Sequence, residues 1–321
     1  AVSVLEGMSK YSKNKLNYSK GVNLTTGRTQ FVWETKINET DKTGFEEAIE
    51  NAKNADVVVM VLGEHGLQTG EGRSRTKLGL PGLQQELLEE VYKVNKNIVL
   101  VLQNGRPLVI PWAAKNISSI VEAWHLGTES GNAIAQVLYG DYNPSGKLPM
   151  TFPRTEGQLP LYYNRMSTGR PRMNEPESVF WSHYIDEENT PEFAFGHGLS
   201  YSKFEYSNLK LNKDSFSSTE EIEVSVTLKN NSNVKGKEVV QLYIQDIVCS
   251  ITRPIQELRD FKMVELNPNE TKIITFKVNK ETLGFYNNNL EWIVEPGEFN
   301  LFIGGSSDKT LEANFEFIKT N

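Results

Sequence analysis

The sequence Asp56-Val57-Val58-Val59-Met60-Val61-Leu62 is a strong strand signal, and it runs directly into Gly63-Glu64-His65-Gly66-Leu67-Gln68-Thr69-Gly70-Glu71-Gly72-Arg73-Ser74-Arg75. An unbroken run of β-branched and apolar residues is typical of a strand buried on both faces in a parallel sheet. In open α/β sheets, ligands bind at the carboxyl ends of such strands. The loop over 63–75 therefore lies where a functional site is expected, and it carries two acids, two arginines and four glycines.

Strands and helices alternate on both sides of this loop. The patterns predict helices at 1–12, 44–55, 82–95, 110–115 and 131–139, and further strands at 97–102 and 119–124. This alternation predicts an α/β sandwich, in which a mostly parallel sheet has helices on both faces. The segment 141–160 is rich in Pro and Gly and ends the pattern, so we expect a first domain over 1–160.

The rest of the chain has a different character. Residues 161–203 are rich in aromatic side chains and have no periodicity, so we expect a linker or loop segment whose aromatic residues cover a seam between domains. The alternative is that these side chains stack on a ligand. Runs with alternating polarity at 221–228, 238–245, 272–278 and 298–303 predict an antiparallel β-sandwich over 204–321.

Composition excludes several classes of protein. The 321-residue chain has a net charge of −7, which argues against nucleic acid or an anionic membrane as a partner. No apolar run approaches the roughly 20 residues that span a bilayer. A single cysteine, Cys249, excludes internal disulfides, and the four histidines have no metal-ligand spacing, so neither a metal nor a cofactor is predicted. No signal peptide is visible at the start of the sequence.

Spacing alone leaves three interpretations of the loop open. A glutamate of the loop can act as a general acid/base with arginines that position it. Glycines and arginines at a strand end can instead bind phosphate, although neither a P-loop nor a G-x-G-x-x-G pattern follows the strand. The third interpretation is a solvated surface loop without chemistry.

The order of motifs resembles one enzyme family. The loop, with the Leu80-Pro81-Gly82-Leu83-Gln84 that follows it, is similar to the second domain of glycoside hydrolase family 3. The resemblance continues through four further segments and into the family's C-terminal fibronectin type III-like domain. These segments are Val101–Leu108, Ala123–Ala135, Gly140–Pro149 and Phe195–Tyr201, and the tail matches at Thr252–Leu258 and Glu295–Phe299.

The resemblance implies a retaining exo-acting β-glycosidase such as a β-glucosidase or β-xylosidase. Such enzymes use two carboxyl groups about 5–5.5 Å apart. The family's nucleophile is an aspartate on an N-terminal (β/α)8 barrel, and the acid/base comes from a loop of the second domain. On this sequence the acid/base role falls on Glu71, with Glu64 as the alternative. Arg73 and Arg75 are expected to position the loop or to bind substrate.

The barrel is expected to lie outside this sequence. No Ser-Asp-Trp tripeptide, the usual setting of the family's nucleophile, occurs in the chain, and a barrel needs about 250 residues of its own. We therefore expect a C-terminal portion that is inactive alone and that partners the barrel and an oligosaccharide or β-glucoside substrate. The resemblance also implies a periplasmic or extracellular location, and a homodimer is a further expectation.

One alternative comes from another functional class. The chain can be a carbohydrate-binding or structural module that takes no part in catalysis. Such a module would keep its sugar affinity without the barrel, whereas half of an active site would not. It would also tolerate the loss of Glu71, whereas an enzyme that uses Glu71 as its acid/base would lose turnover.

Overall fold

The computed structural model describes residues 1–11, 15–170 and 179–318. The chain forms two compact units, which we describe separately. Unit 1 comprises Ala1–Tyr142 with Phe152–Leu159, and unit 2 comprises Asn143–Thr151 with Pro160–Asn321. The division at residues 160 and 203 that the sequence suggests stays a prediction.

Unit 1 contains a three-stranded parallel sheet in the order β1-β2-β3. Its strands are β1 (Val58–Gly63), β2 (Ile98–Gln103) and β3 (Ser119–Glu122). The predicted parallel sheet is confirmed. The expectation that β1 is buried on both faces is wrong at Val61, which is 40% exposed, because β1 is an edge strand of the sheet that the structure describes.

Helices cover both faces of this sheet. They are α1 (Val4–Ser9), α2 (Phe45–Lys53), α3 (Gln84–Val94), α4 (Pro111–Asn116) and α5 (Ser130–Leu138). Successive strand residues point to opposite faces, and both Leu100 and Val101 of β2 are fully buried. Val101 packs in one apolar cluster with residues of α1 and α5, while α3 contacts α2 and β1. The predicted α/β sandwich is therefore confirmed.

Helices α1 and α5 approach each other at two glycines. A Cβ built on Gly7 would lie 2.1 Å from the carbonyl oxygen of Gly131, and one built on Gly131 would lie 1.9 Å from the carbonyl oxygen of Ser3. Only a residue without a side chain fits at such contacts. Gly131 also donates its backbone N–H to the Val2 carbonyl at 3.0 Å, so the first residues of the chain are fixed to α5.

Unit 2 is a β-sandwich, as the alternating runs predict. Its first sheet consists of β4 (Phe204–Leu211), β6 (Ile222–Asn230) and β9 (Thr271–Val278), in the order β4-β6-β9. Its second sheet consists of β5 (Ser215–Phe216), β7 (Gly236–Asp246), β8 (Glu257–Leu266), β12 (Gly297–Ser306) and β13 (Lys309–Phe317), in the order β5-β13-β12-β7-β8. Between β9 and β12 lie a short helix, α6 (Lys280–Leu283), and two paired two-residue strands, β10 (Phe285–Tyr286) and β11 (Trp292–Ile293). Among the residues of unit 2 that the structure describes, every strand pairing is antiparallel except that of β5 with β13.

The core of unit 2 lies between its two sheets. Strand β6 contributes Ile222, Val224, Val226 and Leu228, which are all fully buried and alternate with residues that are more exposed. They pack in one cluster with inward-facing residues of the opposite sheet, such as Leu242 of β7. This arrangement confirms the β-sandwich.

The aromatic segment 161–203 belongs to unit 2 and packs on its β-sandwich through part of its length. Tyr163 stacks on Phe195 with ring centres 4.1 Å apart and meets the buried Tyr243 of β7 edge to face. The Tyr163 hydroxyl also accepts the backbone N–H of Leu258 at 3.3 Å. Residues 171–178 of this segment lie outside the described residues, and the expectation that it covers a domain seam stays a prediction.

Within the described ranges, no helix has the length and apolar character needed to cross a bilayer. Within the same ranges, no three His, Cys, Asp or Glu side chains are grouped so that they could hold a metal ion.

We predict that Gly131→Ala destabilises unit 1 by about 1–3 kcal/mol, because the new methyl group overlaps the Ser3 backbone. The gain in helix propensity, about 1 kcal/mol, does not offset this overlap. Urea unfolding followed by circular dichroism measures the change. Gly127→Ala is the matched control, since nothing lies within 4 Å of a Cβ at that position. Equal stabilities of the two variants would contradict the close approach of the helices.

Candidate functional site

The three parallel strands of unit 1 end at one edge of the sheet. Gly63 of β1 pairs with Gln103 of β2, and Leu102 of β2 pairs with Glu122 of β3. The residues that follow these ends therefore meet in space although they are up to 60 positions apart in the sequence. The loop that contains Glu71 begins at this edge.

Glu64 is the most deeply buried charged residue of the loop. Its side chain has 0% exposure, and Arg75 Nη1 donates to its Oε1 at 2.5 Å. Arg106 Nε lies 3.1 Å from the same oxygen, although the N–H is not aligned for a hydrogen bond. The backbone N–H of Gly105 donates to Oε2 at 3.1 Å. The carboxylate is thus held by two guanidinium groups and one amide.

Arg106 connects this buried carboxylate to the loop above it. Its Nη2 donates to the Gln68 carbonyl at 2.5 Å and to the Arg73 carbonyl at 3.0 Å. The loop also packs against Gly105, where a Cβ would lie 2.7 Å from Thr69 Cγ2. Side-chain charge and close packing therefore fix a loop that has little regular structure.

The first residues of the loop are fixed by local hydrogen bonds. A short 3-10 turn, Gly66–Gln68, is capped by His65, whose Nδ1 accepts the Leu67 N–H at 3.1 Å. Gln84 of α3 exchanges two 2.8 Å hydrogen bonds with the Gly63 backbone, as a neighbouring strand would do. The loop therefore leaves β1 in a defined direction.

Glu71 lies at the outer end of the loop, between two glycines with positive φ. The φ angle is +117° at Gly70 and +70° at Gly72, values that side chains disfavour. The Glu71 side chain is exposed, and it makes no hydrogen bond or ion pair within the described part of the chain. Glu71 is therefore accessible, whereas Glu64 is not.

Both loop arginines are occupied by the protein itself. Arg73 donates to the carbonyl oxygens of Leu67, at 2.7 Å, and Phe31, and its guanidinium carbon lies 5.6 Å from the centre of the Phe31 ring. Arg75 donates to the Gly79 carbonyl at 3.1 Å in addition to Glu64. Arg73 therefore connects the loop to Phe31, whereas Arg75 connects it to the buried Glu64.

A second carboxyl group, the half-buried Glu122, lies at the end of β3. Desolvation raises the pKa of Glu122 from 4.5 to about 7, and the negative charge of Glu64 adds to the rise. The backbone N–H of Trp124 and Asn104 Nδ2 donate to the two Glu122 oxygens at 3.0 and 3.2 Å and act in the opposite direction. Trp124 has a φ of +51°, which is rare for a bulky residue. The Glu122 carboxylate therefore supports a strained turn.

Sequence interpretation gave no role to Arg106 or Glu122. Arg106 lies in Gln103-Asn104-Gly105-Arg106-Pro107, at the end of β2, and Glu122 is the one charged residue of β3. The sequence does indicate both residues, because a charged residue at the carboxyl end of a parallel strand lies at the same edge of the sheet as the loop after β1. Their partners could not be derived from spacing.

Family models match residues of both units. The family model for the glycosyl hydrolase family 3 C-terminal domain matches residues 1–201, and the model for a fibronectin type III-like domain matches residues 238–307. The periplasmic beta-glucosidase of Salmonella typhimurium is 39% identical over 99% of this chain and 43% of its own length. A beta-xylosidase of Formosa agariphila is 40% identical over 95% of this chain and 40% of its own length.

A solved structure gives the same result. The crystal structure of a beta-glucosidase from Listeria innocua superposes with a TM-score of 0.84 at 40% identity, over 89% of this chain and 39% of that one. A mutant of that protein has been crystallised in complex with laminaribiose. The chain thus spans about two fifths of the length of the curated relatives and the solved structure that it matches.

The raised pKa of Glu122 predicts a pH-dependent stability of unit 1. The folded state binds the Glu122 proton more tightly than the unfolded state does. Protonation of Glu122 therefore stabilises the folded state fully below about pH 4.5, and this contribution is lost as the pH rises through about 7. The full shift corresponds to about 3 kcal/mol. Glu122→Gln should remove this part of the pH dependence, which urea unfolding at pH 4.5, 6 and 7.5 measures.

The control for this experiment is Glu39→Gln, which changes an exposed glutamate of the same unit. It should keep the pH dependence of the wild type. If the stability of Glu122→Gln changed with pH in the same way as that of the wild type, the raised pKa of Glu122 would be contradicted.

Proposed function

The chain belongs to glycoside hydrolase family 3, and we propose that it supplies Glu71 as the general acid/base of a retaining exo-acting β-glycosidase. The observation that carries this proposal is the contrast between two glutamates of one loop. Glu64 is fully buried between arginines, whereas Glu71 is exposed between two glycines. Because a proton donor has to reach its substrate, we assign proton transfer to Glu71 and anchoring of the loop to Glu64.

The proposed reaction has two steps. In the first, a carboxylate of the (β/α)8 barrel attacks the anomeric carbon while Glu71 donates its proton to the glycosidic oxygen. The carbon–oxygen bond breaks, the leaving group departs as an alcohol, and a glycosyl ester remains on the barrel. In the second, the Glu71 carboxylate takes a proton from water, whose oxygen attacks the anomeric carbon and displaces the barrel carboxylate.

The exposure of Glu71 explains why the proposal needs the barrel. A carboxyl group that acts as an acid near neutral pH needs desolvation or a nearby carboxylate. Within the described residues the Glu71 side chain is exposed to solvent. In this proposal the barrel provides both the nucleophile and the exclusion of water, and the chain alone is inactive.

Arg73 and Arg75 have positioning roles in this proposal. Arg75 neutralises Glu64 at the base of the loop, and Arg73 fastens its outer part to the Phe31 segment. Since the protein's own groups occupy both guanidinium groups, loop positioning is supported better than a direct contact with the sugar.

The substrate class rests on the relatives. They are named beta-glucosidase and beta-xylosidase, and the Listeria protein binds laminaribiose as a mutant. We propose terminal, non-reducing β-linked glucose or xylose in an oligosaccharide or β-glucoside, with the choice of sugar made by the barrel. A periplasmic or extracellular location is proposed from the relative that is named periplasmic. A homodimer stays a prediction.

We predict that the chain alone does not hydrolyse 4-nitrophenyl β-glucoside or β-xyloside. Activity should appear when a separately produced family 3 barrel is added, because each part contributes one carboxyl group. Release of nitrophenolate is the measurement, and Asp→Asn at the barrel nucleophile is the control. Turnover by the chain alone would overturn the division of roles.

We also predict that Glu71→Gln, in the chain joined to its barrel, slows hydrolysis of a disaccharide on the order of 10²–10⁴-fold. A dinitrophenyl glucoside should be spared in the first step, because its leaving group needs no proton. In Glu71→Ala, azide should restore turnover and give the β-glycosyl azide. Glu47→Gln, on the exposed surface of α2, is the matched control. An equal loss on good and poor leaving groups would exclude acid catalysis by Glu71, and full activity would favour a binding module.

A further inference from the structure

Residues 24–38 of unit 1, here called the finger, form a hairpin-like segment whose two ends lie side by side. Thr25 and Ile37 form an antiparallel bridge, and the Thr26 N–H donates to the Lys36 carbonyl at 2.9 Å. At the tip, the Trp33 N–H donates to the Gln30 carbonyl at 3.3 Å. The sequence is polar and has no periodicity, so its pattern predicts no such element.

The base of the finger is firmly held. Asn38 is 1% exposed, and its Nδ2 donates to the carbonyls of Asn23 and Asp41 at 2.9 and 2.8 Å. Gly82, at the approach to α3, lies so close that a Cβ there would be 2.4 Å from the Asn38 carbonyl oxygen. The finger is therefore anchored to the body of unit 1.

The tip of the finger is attached to the loop that carries Glu71. Arg73, two residues from Glu71, donates to the Phe31 carbonyl and lies over the Phe31 ring. The same guanidinium donates to Leu67 within the loop. One side chain thus joins the tip to the loop that carries the proposed acid.

The tip exposes three large apolar side chains in a row. Phe31 and Val32 are 77% exposed and Trp33 is 62% exposed. Covering one such side chain is worth about 1.5–3 kcal/mol, so exposed apolar groups beside a functional loop indicate a binding surface. Ligand sites combine apolar and aromatic walls with a few polar groups, and the loop to which this tip is joined carries Glu71.

We propose that Phe31 and Trp33 form the leaving-group side of the substrate site and bind a flat, apolar face of the leaving group. The proposal rests on the proposed role of Glu71. A general acid contacts the glycosidic oxygen, and the leaving group is attached to that oxygen. An aromatic surface fixed to the acid's own loop is therefore next to the leaving group. The ring of an aryl aglycone and the face of a second sugar both offer the required surface.

The test measures kcat/KM of the chain joined to its barrel for three β-glucosyl substrates: an aryl glucoside, laminaribiose and β-glucosyl fluoride. Fluoride is a single atom and leaves the finger without a contact. Trp33→Ala should lower kcat/KM about tenfold for at least one of the first two substrates and leave the fluoride unchanged. Tyr18→Ala, at an aromatic residue of unit 1 that is 60% exposed, is the matched control.

Each outcome of this test is decisive. Loss on the aryl glucoside alone, on laminaribiose alone or on both supports the proposal and identifies the kind of leaving group. Equal loss on all three substrates would mean that the tip packs on another protein surface, and no loss would mean that it binds nothing; either result overturns the proposal. Glu71→Ala with azide separately tests the acid, so failure of the finger and failure of the proposed function are distinguishable.

Discussion

The loop that carries Glu71 depends on one buried carboxylate. Glu64 is removed from water completely and is held by Arg75, Arg106 and the Gly105 amide. A buried charge that loses a partner typically costs about 3–5 kcal/mol, so the three groups have to stay together. Since Arg106 also binds two carbonyl oxygens of the loop, the geometry of the charge cluster sets the geometry of the loop.

This use of charge explains how a loop with two conformationally free glycines can be held in place. The loop contains only one short 3-10 turn, so few of its backbone groups bond to each other. Arg106 donates hydrogen bonds to carbonyl oxygens of the loop, and Arg73 binds the Phe31 carbonyl of the finger. Gly70 and Gly72 supply the backbone freedom that one turn requires, while the arginines restrict what surrounds it.

Sequence patterns predicted the framework well and the site less completely. The parallel sheet and the β-sandwich follow from apolar runs and alternation, which depend on neighbouring residues. The burial of β1 was overestimated at Val61, because a β-branched run does not distinguish an edge strand from a central one. The choice between Glu64 and Glu71 came from resemblance. Arg106 is 42 positions from Glu64, and no local pattern reports a contact at that separation.

In the proposed reaction the site is shared with the barrel, and this places a particular demand on Glu71. As the proposed acid, Glu71 has to be accessible to the substrate and correctly oriented once the barrel covers it. Ordering a flexible loop at that moment would weaken both association and catalysis. The Glu64 cluster orders the loop when unit 1 folds, independently of any partner. Burying Glu64 therefore fixes the base of the loop, while Glu71, the proposed acid, stays exposed at its outer end.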